Sequence, residues 1–307
     1  MKHIWENLGK ILEPHPESNW MTTYTGASFA VQVKESVFDL YVTGRDVMNR
    51  SHIGRVRIDL KNPKHILEMT TEPVLPLGNL GAFDENGVSY PWIVRNKNKL
   101  WMYYVGWMPT ILTPFQVHIG LGIQKSKDRF ERYSKAPILK RTDKDYLGMG
   151  SICVLNENDT WKMWYTSFTK WENTKQLRHR YLIKYAESVD GIHWQRYNQV
   201  CIHFKNNEEY AIGRPSVLRL NNTYHMWYCY RGYHYKIGYA TSTDGIHWER
   251  QDNQVKLNLS GASWDSKSQA YPHVFNFKNY LYLIYCGNEY GKEGLGLARL
   301  PSNIFSR

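Results

Sequence analysis

Tyr185–Arg196, reading Tyr-Ala-Glu-Ser-Val-Asp-Gly-Ile-His-Trp-Gln-Arg, returns at Tyr239–Arg250 as Tyr-Ala-Thr-Ser-Thr-Asp-Gly-Ile-His-Trp-Glu-Arg. Each copy reads as a hairpin, because Asp-Gly at 190–191 and 244–245 supplies the positive backbone angles that a tight turn needs between two twisted strands. One repeated supersecondary unit points to a stacked or radial architecture, and a β-propeller blade is the natural host.

A second signature precedes each hairpin, an aromatic-rich strand ending in a small or polar residue. It occurs as Leu40–Arg45, Met102–Trp107, Met163–Phe168, Met226–Arg231 and Leu283–Asn288. The interval is roughly 60 residues, longer than the four-strand repeats of about 40–45 but compatible with longer loops. Another apolar strand and a polar turn lie ahead of each copy, so a unit runs inner, second, third, outer. The fifth unit ends without an outer strand, and Trp5–Pro14 resembles the outer strands Trp194–Phe204 and Trp248–Leu259. The expectation is an all-β chain: a single domain over residues 1–307, a five-bladed β-propeller whose ring is closed by the N-terminal strand in the last blade, which protects otherwise open edges.

The 307 residues suffice for a substantial core, and an aromatic content of 15% suits both pleated strands and the stacking of sugar faces. A formal charge of +11 calls for an anionic partner or substrate. Lys and Arg are scattered and form no dense run, which argues against nucleic acid and for a small phosphorylated, carboxylated or nucleotide-linked molecule. Met1–Trp20 lacks the apolar run of a signal peptide, and no stretch reaches the roughly 20 apolar residues that span a bilayer, so a cytoplasmic chain without a membrane partner is expected. Cys153, Cys201, Cys229 and Cys286 are widely spaced and read as buried thiols. Neither a metal nor a cofactor is called for.

Strand alternation puts the starts of the inner strands and the second-to-third loops on one rim. The longer loops there are Gly44–Ser51, Gly106–Val117, Ser167–Arg180, Tyr230–Lys236 and Cys286–Gly294, and a site belongs among them. Carboxylates and cations are expected to meet in one funnel. His193 and His247 sit beside the Asp-Gly turns on the opposite rim and read as structural, with Trp194 and Trp248 as packing between blades.

The Met-x-Tyr strands, the Ser-x-Asp-Gly-Ile-x-Trp hairpins and Thr43-Gly-Arg-Asp46 resemble the five-bladed propeller glycosidases, the group holding glycoside hydrolase families 43, 32, 68, 117 and 130. The resemblance covers essentially the whole chain. Tyr210-Ala-Ile-Gly-Arg-Pro215 and Trp264-Asp-Ser266 ahead of Tyr271-Pro272 are similar to the glycosidase-like proteins of bacterial surface-polysaccharide biosynthesis.

Such enzymes place a proton donor and a second carboxylate on either side of the glycosidic bond. The resemblance implies Glu209 as general acid, its pKa raised by Tyr210 and Ala211, with Asp84 as base or hydroxyl anchor and Asp265 as a third candidate. For each, the alternative is an orienting or salt-bridged carboxylate. Arg45 and Asp46 resemble a sugar-contacting pair or form a rim salt bridge. Arg214, Arg231, Tyr271 and His273 are expected to bind substrate, and Trp107 to stack on it. Relatives that hydrolyse open their first inner strand with an Asp, whereas this chain offers Tyr24-Thr-Gly-Ala-Ser28. The expected function is cleavage or transfer of a glycosidic or glycosyl-phosphate bond of an anionic or nucleotide-activated sugar. A phosphate-dependent phosphorylase and a non-catalytic sugar-binding propeller are the alternatives.

Overall fold

The computed structural model describes residues 2–174, 177–258, 261 and 263–305. Strand β1 is His3–Leu12. A first meander follows as β2 (Tyr24–Lys34), β3 (Val37–Arg45), β4 (Ser51–Asp59) and β5 (Asn62–Met69); a second as β6 (Gly87–Asn96), β7 (Lys99–Pro109), β8 (Phe115–Ser126) and β9 (Arg129–Arg132). The third comprises β10 (Met149–Glu157), β11 (Thr160–Asn173), β12 (Leu177–Ser188) and β13 (Gln195–Ile202), and the fourth β14 (Ala211–Leu220), β15 (Thr223–Arg231), β16 (Tyr235–Ser242) and β17 (Glu249–Arg250). After β18 (Val255–Leu257) come β19 (Ala270–Phe277), β20 (Tyr280–Cys286) and β21 (Leu295–Pro301).

Within each meander neighbouring strands pair antiparallel. The inner strands touch in cyclic order, β2 with β6, β6 with β10, β10 with β14, β14 with β19 and β19 back to β2, which makes the all-β chain a propeller. Strand β1 pairs antiparallel with β21, Glu6 opposite Arg299, so the N-terminal segment completes the last sheet, as its likeness to the outer strands predicts. Strand β18 adds a parallel edge to β1, His3 opposite Val255. The expected outer strand 248–259 is thus split between β17 and β18, and its last residue lies outside the described part of the chain. The expected loop 167–180 is largely strand, because the β11–β12 ladder runs on to Asn173 opposite Leu177.

The repeated turn is wider than a two-residue hairpin, since β12 ends at Ser188 and β13 begins at Gln195. Gly191 alone of the Asp-Gly pair takes a positive φ, 74°. Asp190 Oδ1 accepts the Ile192 and His193 amides, and its other oxygen meets His193 Nδ1 at 2.7 Å, so this histidine is a turn residue as expected. The turn fastens adjacent sheets: Tyr103 on β7 donates to Gly191 O at 2.8 Å, and Trp164 on β11 donates through Nε1 to Gly245 O at 2.7 Å. Around these bonds Trp92, Met163, Trp164, Tyr185 and Met226 form one continuous core, with Trp194 and Trp248 packed against it. The four cysteines are buried free thiols.

Candidate functional site

Every inner strand breaks register at the same height. The ladder slips between Thr25 and Ser28, Ser89 and Trp92, Met149 and Ile152, Gly213 and Ser216, and Ala270 and His273. A bulge of this kind re-aims a side chain. Three of the bulges carry a residue before proline in the left-handed region, Tyr90 at φ 53°, Arg214 at 50° and Tyr271 at 56°. A bulky residue there costs about 1–3 kcal/mol, a strain that collects at functional sites. Amides freed by the bulges are answered from the preceding sheet: Tyr90 N donates to Thr43 Oγ1 and Arg214 N to Ser151 Oγ, both at 2.9 Å.

The bulge residues Gly26, Tyr90, Gly150, Arg214 and Tyr271 all face one cavity of about 510 Å³. It opens among the ends of the second strands, as the alternation of strand direction predicts. Its walls hold Arg45, Arg214 and Arg231, the phenols of Tyr24, Tyr90, Tyr181, Tyr235, Tyr271 and Tyr290, the indole of Trp107, and His179. Among the described residues no Asp or Glu lines it.

Arg214 is buried, and Nη2 donates to Ser28 O at 2.8 Å and Pro91 O at 3.2 Å. Its Nε and Nη1 have no partner, and burial lowers its pKa to about 10. Such a cation is complementary to a ligand anion. Arg231 sits within 5.5 Å of the ring centres of Tyr210, Tyr235 and Tyr290 and donates to the Tyr290 hydroxyl. Arg45 lies over Tyr24 and donates to Asn49 Oδ1 at 2.7 Å. Trp107 is pinned by Nε1 to Ser51 Oγ. Burial, with Arg231 nearby, brings His179 down to about 4, so it is neutral between Phe168 and Tyr181.

Five sequence-selected residues therefore meet the cavity: Arg45, Trp107, Arg214, Arg231 and Tyr271. Asp46 does not. It is buried beneath the rim and holds Arg50 Nε at 2.8 Å and His52 Nε2 at 3.1 Å, so the expected pairing with Arg45 gives way to Arg50. His273 lies deeper, against Phe29 and Trp92, outside the cavity wall. Tyr24, Tyr181 and Tyr235 escaped the sequence reading because no repeated motif marks them: Tyr24 and Tyr235 open their strands and Tyr181 lies inside β12. The X-Pro step after Ser89, Gly213 and Ala270 is the signal that marks the bulges.

None of the three acid candidates lines the cavity. Asp84 Oδ2 accepts Tyr104 Oη at 2.8 Å and Arg132 Nε at 2.7 Å. Asp265 accepts the Tyr285 hydroxyl at 2.9 Å. Glu209 is chelated by Arg250 and accepts the Lys205 amide at 2.8 Å. Burial pushes the Glu209 pKa up, but the Arg250 and Lys205 hydrogen bonds outweigh it and hold the carboxyl below its ordinary value, the reverse of the shift expected for a proton donor. Asp145, ahead of β10, takes the same position with Tyr165, Lys184 and Arg196. The carboxylates before the inner strands are a repeated fastening, each meeting a second-strand tyrosine or an outer-strand arginine.

No family model matches the chain. Among solved structures, one described as "Glycoside hydrolase" superposes with a TM-score of 0.75 at 18% identity, covering 96% of this chain and 92% of that one. A thermostable family-43 glycoside hydrolase gives 0.65 at 18% identity, covering 94% and 92%. A member of the family-130 mannoside phosphorylases and glycoside hydrolases gives 0.69 at 13%, covering 99% and 95%. These share the propeller fold. By sequence, two Mycobacterium tuberculosis proteins, "Uncharacterized protein MT1551" of strain CDC 1551 / Oshkosh and "Uncharacterized protein Rv1502" of strain ATCC 25618 / H37Rv, are each 36% identical over 299 residues, 97% of this chain and 99% of theirs. With that identity carried along almost the full length of both chains, this propeller belongs to the family of the mycobacterial proteins MT1551 and Rv1502.

Proposed function

We propose that this chain is a glycosidase-like propeller that binds a carbohydrate bearing an anionic group, with the sugar face on the aromatic rings of the funnel and the anion on Arg214, Arg231 and Arg45. The observation that carries this reading is the lining of the cavity: three guanidinium groups and six phenols, with no carboxylate among the described residues. Hydrolysis by paired carboxylates needs two acids roughly 5–9.5 Å apart across the scissile bond. The funnel supplies neither, and the acids before the inner strands are engaged in fastening the sheets. A phosphate, carboxylate or nucleotide on the sugar would complement the cationic wall through charge-assisted bonds. The volume of about 510 Å³ falls within the roughly 300–1,000 Å³ of small-molecule sites.

The two unpartnered nitrogens of buried Arg214 favour one second reading, a phosphorylase in which inorganic phosphate attacks the sugar and a phenol such as Tyr90 or Tyr271 supplies the proton. Incubation with neutral and anionic glycosides, with and without inorganic phosphate, separates the two. Saturable binding without turnover supports the first reading, and turnover that requires phosphate supports the second. Hydrolysis at full rate without phosphate contradicts both.

A further inference from the structure

The two rims of the ring differ in chemistry. Away from the funnel, the inner-to-second turns at 35–36, 97–98, 158–159, 221–222 and 278–279 read Glu-Ser, Lys-Asn, Asn-Asp, Asn-Asn and Lys-Asn, polar throughout. On the funnel rim, every second-to-third connection holds an apolar or aromatic side chain out to solvent at or beside its tip. These are Met48 at 69% exposure, Ile111 at 100%, Leu112 at 87%, Leu177 at 43%, Tyr233 at 87% and Tyr290 at 40%. A single exposed aliphatic residue is ordinary, and Val189 at 87% is one such on a facing third-to-outer turn; the same feature repeated around the second-to-third connections of one rim is a pattern.

Cations stand between these tips. Arg50, Lys170, Arg178 and Lys292 keep 39%, 66%, 39% and 57% of their side chains exposed. The connections 110–114 and 232–234 contain no Asp or Glu, whereas Asp46, Glu172 and Glu289 pair with Arg50, Arg178 and Lys292; the chain as a whole carries +11. Separate apolar tips interleaved with cations around an open mouth suit an interface in which each side chain enters a soft medium by itself. A protein partner would favour a contiguous apolar centre ringed by polar groups. A second copy would bring like-charged rims face to face.

We propose that the funnel rim is a docking surface for an anionic lipid bilayer. The apolar tips enter the boundary between headgroups and acyl chains, the cations hold anionic headgroups, and the funnel opens toward sugars displayed on that surface. The last clause rests on the carbohydrate reading, and the docking does not. Among the described residues no helix is long and apolar enough to cross a membrane, and the contact proposed is interfacial. This proposal departs from the sequence-based expectation of a chain without a membrane partner.

Flotation with sugar-free vesicles tests this, comparing phosphatidylcholine alone with phosphatidylcholine containing phosphatidylglycerol, at low and high salt. The wild-type chain is expected to float with the anionic vesicles, less so at high salt. The I111S/L112S variant, altered only at exposed tips, should bind about tenfold or more weakly at an unchanged melting temperature. Absence of flotation with anionic vesicles, or wild-type affinity in the variant, overturns the proposal. So does a dimer in light scattering that the same variant dissolves. Because the vesicles carry no sugar, this result and the soluble-sugar titration fail independently.

Discussion

Arg250 grips Glu209 with both ends of its guanidinium, Nη1 to Oε2 at 2.7 Å and Nη2 to Oε1 at 2.8 Å. Arg132 and Arg196 hold Asp84 and Asp145 from the same outer-strand position in their own sheets. The outermost strand is thereby tied to the segment entering the innermost one. Glu209→Gln leaves Arg250 half-answered in a buried setting and should lower unfolding free energy by about 2–3 kcal/mol in chemical denaturation. Sugar affinity should stay within about twofold, since the side chain lies outside the cavity. The Glu209 pKa is depressed in the folded state, so its contribution is present above the ordinary carboxylate value of 4.5 and fades as pH falls through the folded value.

Acid should also act through histidine. His118, His179 and His225 are each brought to about 4, by burial first and then by Arg141, Arg231 and His3 respectively. Between the ordinary value of 6.5 and about 4 the unfolded chain takes up protons that the folded chain refuses, so stability falls as pH falls. Melting temperature measured across that window should decline, and His179→Phe should make the slope shallower.

The turn glycines are a third point of control. A Cβ on Gly191 would lie 2.8 Å from Tyr103 Oη and 2.9 Å from the Trp161 ring, at a φ of 74°. Gly191→Ala should therefore cost about 1–3 kcal/mol in thermal denaturation, by strain and by displacing the bond that joins two sheets.

Tyr271 combines strain with exposure to the cavity. Replacing it by glycine relieves the left-handed backbone and gives up ring contacts with Tyr90 at 5.1 Å and Tyr235 at 5.7 Å. The two effects oppose each other, so unfolding free energy should change by less than about 1 kcal/mol. Carbohydrate affinity by calorimetry should fall about three- to tenfold, the value of one stacking ring.

The propeller was legible because its repeats are local. Asp190-Gly191, the Met-x-Tyr strands and the strand-like Trp5–Pro14 each announce themselves within a dozen residues. Charge pairing across the blade was not legible. Arg132 meets Asp84 across 48 positions and Arg250 meets Glu209 across 41, so acids that look catalytic beside an inner strand turn out to be held by distant arginines. The cavity position of Arg214 could be anticipated because strand alternation turns a residue beside Pro215 on an inner strand toward the axis. The phenols of Tyr181 and Tyr235, hydrogen-bonded to each other across 54 positions, needed the ring itself to bring them together.

Recognition of charge on a sugar falls, in the proposed function, to Arg214. The decisive measurement is titration calorimetry with a sugar phosphate and its neutral parent, on the wild type and on Arg214→Gln. The wild type should prefer the phosphate form by about tenfold or more, and the variant, folded by circular dichroism, should lose the preference. Equal affinity of the wild type for both sugars, or a preference that survives in the variant, would contradict it.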